Sequence, residues 1–485
     1  MNAPVRRLAL VASLLFALLL SSLTWVQFVN AKALQDKPGN RRTLLATFSR
    51  ERGAILVGST PIARSVPSHD DYQFQRTYPQ ARLYSHLTGY YSFLYGAGGG
   101  IEGSEDSYLS GSSDALFYRR VVDLVSGKRP AGASVELTIN PAAQRAADDA
   151  LGNQRGAVVA LDPKTGAILA LVSHPDYDPG ALATHDLKAS TEAWKSLNAN
   201  ANRPLDDRAI AGRLYPPGSV FKLVTAAAAL DSGRFNENSQ IPGPAALDLP
   251  QTSVDLHNDF PSACGPGGKV SLTDALRISC NTAFGWLGLQ LGAQALRDQA
   301  AKFGFGQPLR VPMPVTPSVV PAQLDPPQTA QSAIGQYDVR VTPLQVAMVA
   351  AAVANGGQVM QPYLVKSVRA PDLSVISQTD PTSLGQAMSG EAAAELTRMM
   401  QAVVAGGTGT SAQISGLSVA GKTGTAQQGP GKPPHAWFTA FAPAGNPRVA
   451  VAVVVEDGGK AGNEAYGGKV AAPIAKKVIE AVLGL

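Results

Sequence analysis

A buried helix with a serine at its start is the strongest structural signal in this chain of 485 residues. The two prolines and the glycine at 216–218 cannot continue a helix, whereas residues 220–230 are almost wholly apolar. Ser219 stands between the two stretches and can open the helix. Lys222 follows three positions later in the only Ser-x-x-Lys of the chain. Because residues three apart share a helix face, Lys222 is predicted one turn above Ser219.

This serine and lysine have a chemical and a structural interpretation. A free serine hydroxyl is a poor nucleophile, but an amine held beside it in a dry pocket can lose its own proton and then accept the proton of the serine. The structural alternative is a buried helix whose lysine extends its ammonium group to solvent. The four residues alone leave both interpretations open, so the decision depends on partners elsewhere in the chain.

Two later motifs supply those partners. A Ser-x-Asn at residues 279–281 and a Lys-Thr-Gly-Thr at residues 422–425 follow Ser219 in that order. Another Ser-x-Asn at 196–198 and another Lys-Thr-Gly at 164–166 both precede Ser219, which is the wrong order. The lysine of the latter lies in an Asp-Pro-Lys-Thr-Gly turn between two apolar runs, and this pattern predicts a solvated turn lysine.

The three motifs together provide the groups that acyl transfer needs. The predicted catalytic residues are Ser219 as the nucleophile, Lys222 as the base and Ser279 as a proton relay to the leaving amine. The predicted substrate-binding residues are Asn281, Lys422, Thr423, Gly424 and Thr425. The asparagine can bond a peptide group of the substrate, while the lysine and the two hydroxyl groups can hold a terminal carboxylate. The glycine leaves room for a ligand to approach the strand edge closely.

Ser-x-x-Lys, Ser-x-Asn and Lys-Thr-Gly in this order are the signature of penicillin-binding proteins and serine β-lactamases. The chain resembles a class B penicillin-binding protein, and most closely the actinobacterial penicillin-binding protein A group. Further segments that resemble this family are 52–55, 100–102, 108–111, 156–180, 333–337, 341–345, 354–357 and 435–443. Cys280 departs from the usual residue between Ser279 and Asn281 but leaves the roles of its neighbours intact.

The resemblance implies an α/β fold of the penicillin-binding/β-lactamase-like transpeptidase type. This fold has an antiparallel sheet flanked by helices and an all-helical lobe, and here an N-terminal pedestal domain and a single transmembrane anchor are added. The backbone N–H groups of Ser219 and Thr425 are then the oxyanion donors. The implied reaction is peptidoglycan D,D-transpeptidation: Ser219 attacks the D-Ala-D-Ala bond of one stem peptide, and an amine of a second stem resolves the acyl-enzyme. No cofactor and no metal are expected.

The expected partners are peptidoglycan stem peptides, β-lactam antibiotics, the membrane and unidentified proteins of cell division or elongation. Three alternative functions share the same machinery. A D,D-carboxypeptidase would resolve the acyl-enzyme with water, and a β-lactam sensor or scaffold would not turn over. A class A β-lactamase needs a deacylating glutamate after Ser-x-Asn, but the chain has no glutamate between Ser279 and Glu391.

The N-terminal segment predicts a membrane anchor. Residues 8–29 carry no charge and are long enough to cross a bilayer of about 30 Å. The small-x-small sequence at 31–33 would suit a cleaved signal peptide, but the apolar run is longer than such a peptide needs. We therefore expect a single-pass protein of the cell membrane. The family resemblance places its catalytic domain outside the cytoplasm.

The domain prediction divides the chain into a cytoplasmic tail (1–7), the anchor (8–29), a pedestal or dimerisation domain (30–150) and a transpeptidase domain (151–485). Within the last domain the patterns predict a hairpin at 156–171, helices at 219–230 and 272–291, a proline-rich surface loop at 308–327, a strand at 449–456 and a closing helix at 470–483.

Composition excludes some functions and raises one question. A net charge of +5 with no basic run gives no basis for nucleic-acid binding. The six histidines lack metal-ligand spacing.

The only cysteines are Cys264, in a loop rich in proline and glycine, and Cys280. An extracytoplasmic compartment permits a disulfide between them, and two unrelated buried thiols are the alternative.

Overall fold

The structure is a computed structural model, which describes residues 3–30, 48–70, 72–117, 126–127, 131–429 and 431–485. A helix over Ala3–Thr24 continues as a π-helical turn over Trp25–Val29, and none of its side chains is buried. These 27 residues are apolar enough to cross a membrane. The predicted anchor lies within them. The cleavage site considered at 31–33 and the first two residues of the predicted tail lie outside the described residues.

A six-stranded sheet forms the base of the pedestal. Its strands, in spatial order, are Val375–Gln378, Val365–Arg369, Ser134–Leu137, Ile55–Val57, Thr60–Pro67 and Phe74–Thr77. The first two come from the segment predicted to be transpeptidase domain. They join the sheet because Ser134–Leu137 pairs with Val365–Arg369, and Lys366 Nζ donates to Glu136 Oε1 at 2.7 Å. The pedestal is therefore built from two separate stretches of chain.

Short elements and a buried ion network complete the pedestal. The elements are the helices Ser85–Thr88, Gly100–Ser104, Asp106–Leu109 and Asp114–Leu116 and the hairpin strands Tyr90–Ser92 and Gly96–Gly98. Glu102 accepts hydrogen bonds from Arg52 Nε and Arg76 Nε, each at 2.6 Å. Although burial acts to raise it, the two guanidinium groups hold the pKa of Glu102 below its ordinary value. Two segments that carry the family resemblance, 52–55 and 100–102, thus meet through an ion pair.

A five-stranded antiparallel sheet forms the centre of the second domain. Its strands, in spatial order, are Ala420–Ala426, His435–Ala442, Val449–Val455, Gly156–Leu161 and Ile168–His174. The hairpin and the strand predicted here are confirmed, with ends shifted by a few residues. Every side chain of Val449–Val455 is buried because even and odd positions face two different hydrophobic clusters. Both faces of the sheet are therefore covered, and this explains why the strand Val449–Val455 is apolar throughout.

Two helices cover one face of this sheet. The helix Pro141–Leu151 begins at Asn140, whose side chain accepts hydrogen bonds from two backbone N–H groups, and it buries Ala143, Ala147 and Leu151 there. The predicted domain boundary at 150 falls within this helix, one residue before its end, whereas the packing groups the whole helix with the second domain. The closing helix is Gly467–Leu483, so it begins three residues before the predicted start at 470 and contains Pro473.

The other face carries the helical lobe. Its longer helices are Lys222–Asp231, Leu272–Arg277, Asn281–Lys302, Pro326–Ala333, Pro343–Ala354 and Gly390–Gly406, and Leu187–Ala199 and Gly180–Ala183 precede them. The lobe and its connections also contain the short strands Gln240–Pro242, Ala246–Asp248, Asp255–His257, Lys269–Ser271, Gln358–Met360 and Ser383–Gln386. Short 3-10 helices lie at Gly218–Phe221, Pro266–Gly268 and Thr410–Ala412, and a longer one lies at Glu456–Glu464.

Two predictions for this lobe need correction. The helix predicted over 272–291 is interrupted at Ser279, which has a positive φ of 62° and separates two helices of different direction. The segment 308–327 was predicted as a surface loop, but Val311, Met313 and Val315 are buried in the main core. Its prolines prevent regular structure without preventing burial.

Candidate active site

The turn that carries Ser219 is held between two neighbouring segments. Ser219 lies on the 3-10 turn Gly218–Phe221, directly before the helix Lys222–Asp231, and is 6% exposed. Gly218 has a φ of +54°, and a Cβ atom there would lie 2.5 Å from the carbonyl oxygen of Thr425. On the other side, Gly218 N donates to Gly335 O at 2.9 Å. Glycine at 218 therefore lets the turn press directly against the strand Ala420–Ala426.

Lys222 points from this turn into a closed polar pocket. Its Nζ donates to Ser279 O at 2.7 Å, to Ser279 Oγ at 3.3 Å and to Asn281 Oδ1 at 2.7 Å. The side chain is fully buried, so the alternative of a solvent-exposed ammonium group is wrong. Burial lowers the pKa of Lys222 to about 7, although the charge of Asp259 opposes the shift. A substantial fraction of the amine is then neutral at physiological pH and can accept a proton.

Ser279 is the residue at which the two lysines meet. Its positive φ turns the chain between the helices Leu272–Arg277 and Asn281–Lys302 and exposes both its carbonyl and its hydroxyl to Lys222. Lys422 Nζ donates to Ser279 Oγ at 2.9 Å and to Thr423 O at 2.8 Å. Ser279 Oγ thus bridges the two amines, which gives it the position that a proton relay requires.

Lys422 is bonded within the chain. Its side chain is fully buried, and its Nζ donates hydrogen bonds to Ser279 Oγ and Thr423 O. Burial and, second, the neighbouring Lys222 hold the pKa of Lys422 well below its ordinary value. The structure thus shows a contact between Lys422 and Ser279, and the direct contact of Lys422 with a terminal carboxylate stays a prediction.

The strand Ala420–Ala426 presents two different faces and one free edge. Successive side chains alternate, so Lys422 and Gly424 face the lobe and Thr423 and Thr425 lie opposite. The hydroxyl group of Thr423 shares a hydrogen bond of 2.6 Å with Thr408. The strand is at the edge of its sheet, and the carbonyl of Thr425 faces Gly218. In an antiparallel strand the N–H of a residue points the same way as its C=O, so the N–H of Thr425 points toward the Ser219 turn.

The room at Gly424 serves packing within the chain. A Cβ atom there would lie 2.9 Å from Trp437 Cβ, 3.0 Å from Val220 Cγ1 and 3.1 Å from Pro217 O. A Cβ at this position would meet the Ser219 turn and Trp437, which is a packing reason for glycine here, and the predicted approach of a ligand stays a prediction. Gly424 lets the Ser219 turn and the strand approach each other.

Asn281 is already engaged by a neighbouring loop. Its Nδ2 donates to His257 O and to Asp259 Oδ1, both at 3.2 Å. Asn258 Oδ1 accepts from the backbone N–H groups of Asn281 at 2.9 Å and Thr282 at 3.1 Å, so it caps this helix from a distance in sequence. Asn258, Asp259 and the Thr408 hydroxyl belong to the site but were missed, because no spacing or motif marks them.

Cys264 and Cys280 form a disulfide whose Cα atoms are 6.0 Å apart. Cys280 is fully buried, and the bond fastens the loop around Asn258 and Asp259 to the segment that holds Ser279. The alternative of two unrelated thiols therefore does not describe this structure. The bond joins a loop that touches Asn281 to the residue between the two predicted motif positions.

Reduction of this disulfide should lower stability and slow acylation without abolishing it. Closing a loop of 16 residues constrains the unfolded chain by about 3 kcal/mol. We expect Cys264→Ser to lower the Tm by several degrees and to reduce the acylation rate by penicillin about threefold to tenfold, because Asn258 and Asp259 lose their tether. Calorimetry and acylation rates with and without reductant would measure both effects. A variant with the wild-type Tm and rate would contradict this account.

One group with metal-ligand chemistry lies outside the motifs. Asp148, His174 and Asp176 bring their ligand atoms within 4.8 Å of one another, which the sequence spacing of the histidines did not indicate. His174 Nε2 already contacts Asp148 Oδ1 at 2.7 Å and its Nδ1 contacts Gly152 O at 2.5 Å. Asp176 accepts from Arg82 at 2.7 Å. These internal partners account for all three side chains. His435 is buried, and its Nδ1 accepts a hydrogen bond from Asp457 N at 3.1 Å.

Two family models match successive parts of the chain, and these parts correspond to the pedestal and to the second domain. Residues 52–135 match the penicillin binding protein A dimerisation domain, and residues 156–480 match the penicillin binding protein transpeptidase domain. The second match covers all five strands of the central sheet, the helical lobe and all three motifs.

Whole-chain relatives agree with these models. The peptidoglycan D,D-transpeptidase PbpA of Mycolicibacterium smegmatis is 44% identical over 492 residues, which is 100% of this chain and 99% of that protein. The structure of penicillin-binding protein A from Mycobacterium tuberculosis as a ceftriaxone acyl-enzyme complex is similar to this chain with a TM-score of 0.88 at 44% identity, over 90% of this chain and 100% of that one. Its penicillin G acyl-enzyme complex has a TM-score of 0.85 with the same coverage and identity. The chain belongs to the penicillin-binding transpeptidase family.

Proposed function

We propose that this chain is a serine-type peptidoglycan D,D-transpeptidase that cross-links stem peptides through a Ser219 acyl-enzyme and is inhibited covalently by β-lactams. The observation that carries this proposal is the buried Lys222, which stands beside Ser279 and Asn281 with a pKa lowered to about 7. Such an amine can take the proton of a serine one helical turn away. The other residues of the site then have positions that suit the steps of acyl transfer.

Acylation begins when Ser219 Oγ attacks the carbonyl of the penultimate D-alanine of a donor stem. Neutral Lys222 accepts the hydroxyl proton as the new C–O bond forms. The negative charge develops on the carbonyl oxygen, toward which the N–H groups of Ser219 and Thr425 are directed. Donors of this kind are worth about 10²–10³ in rate each. The free edge of the strand Ala420–Ala426 makes the second of these groups available.

Departure of the terminal D-alanine needs a proton on its nitrogen. Ser279 Oγ lies 3.3 Å from Lys222 Nζ and 2.9 Å from Lys422 Nζ. It can therefore pass a proton from Lys222 to the leaving amine while Lys422 fixes its position. We propose that the hydroxyl groups of Thr423 and Thr425 bind the terminal carboxylate of the donor. Asn281 Nδ2 binds a peptide group of the donor, which displaces Asp259 from its hydrogen bond with that nitrogen.

The domain arrangement and the location are part of the same proposal. The apolar helix within Ala3–Val29 serves as a single-pass anchor, and the pedestal holds the catalytic domain outside the cytoplasm near its substrate. We place the start of the catalytic domain at about residue 140 because of the packing of the helix Pro141–Leu151. The pedestal is the surface at which proteins of division or elongation would bind.

A product assay with a synthetic stem pentapeptide and an amine acceptor tests the function. We expect release of D-alanine and formation of a cross-linked product, and Ser219→Ala should give neither. Release of D-alanine with a tetrapeptide as the sole product would identify a carboxypeptidase. Absence of any D-alanine release by the folded wild-type chain would contradict the proposed function.

A further inference from the structure

An exposed carboxylate stands at the edge of the buried catalytic group. Asp259 lies in the loop that the Cys264–Cys280 disulfide fastens to the Ser279 segment, and its side chain is open to solvent. Its Oδ1 accepts a hydrogen bond from Asn281 Nδ2, while Asn281 Oδ1 accepts from Lys222 Nζ. One residue therefore separates this carboxylate from the amine that acts as the base.

The charge of Asp259 reaches the reacting centre. It acts on both buried amines, and for Lys222 and Lys422 alike it raises the pKa against the effect of burial. The groups that face Lys222 are thus Asp259, Lys422 and the neutral Ser279 and Asn281. Asp259 is the only one of these that also meets solvent, so it is the one that an incoming substrate encounters.

The two substrates of a transpeptidase have opposite charges where they react. The donor stem ends in a carboxylate, which an exposed aspartate repels. The acceptor presents an amine, which is mostly an ammonium ion at neutral pH. A carboxylate on the loop side of the site, away from the carboxylate-binding strand, therefore favours the acceptor over a second donor.

We propose that Asp259 binds the ammonium group of the acceptor stem and so determines the preference of the acyl-enzyme for an amine over water. This inference rests on the proposed transpeptidase function and names the residue that recognises its second substrate. The disulfide limits the motion of the loop that carries Asp259, so the carboxylate stays at this edge of the site after the donor has displaced it from Asn281 Nδ2.

The groups of the site account for every bond and proton that changes in the aminolysis step. The ammonium ion held by Asp259 loses its first proton to water and becomes an amine. The nitrogen attacks the acyl carbon, a C–N bond forms, and the bond from that carbon to Ser219 Oγ breaks. The second proton passes from the nitrogen through Lys222 to Ser219 Oγ, which restores the free enzyme.

Asp259→Asn is the decisive variant because it keeps an oxygen that can accept the Asn281 hydrogen bond and removes only the charge. A D-alanyl thioester would serve as the donor. The acceptors would be Nα-acetyl-lysine amide, whose single ammonium group is its only charge, and hydroxylamine, which is uncharged at neutral pH. The ratio of aminolysis to hydrolysis and the KM for each acceptor would be measured by product chromatography.

We expect the KM for the lysine derivative to rise about fivefold in Asp259→Asn, the size of an exposed charge pair. The ratio with hydroxylamine should change by less than twofold. High salt should remove most of the difference between wild type and variant for the charged acceptor. Asp255→Asn, which neutralises an exposed carboxylate on the strand Asp255–His257 just before this loop, is the matched control and should behave as wild type.

The pH profile separates recognition from a purely structural role. Because Asp259 raises the pKa of Lys222, its neutralisation should move the acid limb of acylation by penicillin to lower pH, while aminolysis by the ammonium acceptor becomes worse. A parallel fall of acylation and of aminolysis with both acceptors would overturn the proposal, and so would an unchanged KM for the lysine derivative. Failure of the wild-type chain to acylate at all would instead contradict the proposed function.

Discussion

Lys222→Ala should reduce acylation by penicillin by about 10³-fold or more, because general-base catalysis contributes about 10²–10⁴ and the variant lacks the amine three residues after Ser219. Acylation of the wild-type chain should rise with pH through about 7, where the amine of Lys222 becomes neutral. The rate should then level off at higher pH. Stopped-flow or fluorescent-penicillin kinetics between acid and neutral pH would measure the profile.

Lys222→Met is the companion variant, since methionine fills a similar volume without an amine. Its circular dichroism and Tm would show whether the helix Lys222–Asp231 still packs. A folded methionine variant that acylates within tenfold of wild type would contradict the role of Lys222. So would a wild-type profile that does not change across neutral pH.

Lys422→Ala should reduce acylation by about 10-fold to 100-fold for every ligand, whether or not the ligand carries a carboxylate. The reason is that Lys422 Nζ donates to Ser279 Oγ at 2.9 Å and positions the relay. A buried polar group that loses its hydrogen-bond partner costs about 1–3 kcal/mol, which corresponds to this range of rates. Penicillin and a thioester without a carboxylate would be compared under the same conditions.

Lys164→Ala is the matched control, because it removes the lysine of the other Lys-Thr-Gly. Lys164 is an exposed turn residue whose Nζ donates to Asn446, and we expect wild-type rates from this variant. A loss in Lys422→Ala confined to carboxylate-bearing ligands would instead support the direct carboxylate contact that the motif alone predicts.

The sequence predicted the parts of the site that depend on short spacing. The breaker residues at 216–218 and the apolar run after them specify a helix, and the three-residue step to Lys222 specifies its face. The order of the motifs then selected the Lys-Thr-Gly at 422–425 over the one at 164–166. The structure places the selected strand against the Ser219 turn and leaves Lys164 in an exposed turn.

What the sequence could not predict depends on contacts between distant segments. A serine at position 279 does not signal a positive φ, because non-glycine residues rarely adopt one. The positive φ nevertheless interrupts the helix that the apolar pattern predicts. The direction of Lys422 follows from the position of Ser279, and the hairpin at 365–378 joins the pedestal because Glu136 and Lys366 meet. Asn258 and Asp259 reach the site only through the fold of their loop.

Peptide mapping after treatment with penicillin tests whether Ser219 is the nucleophile of this transpeptidase. We expect one covalent adduct per chain, located on the peptide that contains Ser219 and stable for minutes or longer. Ser219→Ala should carry no adduct under the same conditions. An adduct located on another residue, or one that forms equally in Ser219→Ala, would show that Ser219 is not the nucleophile.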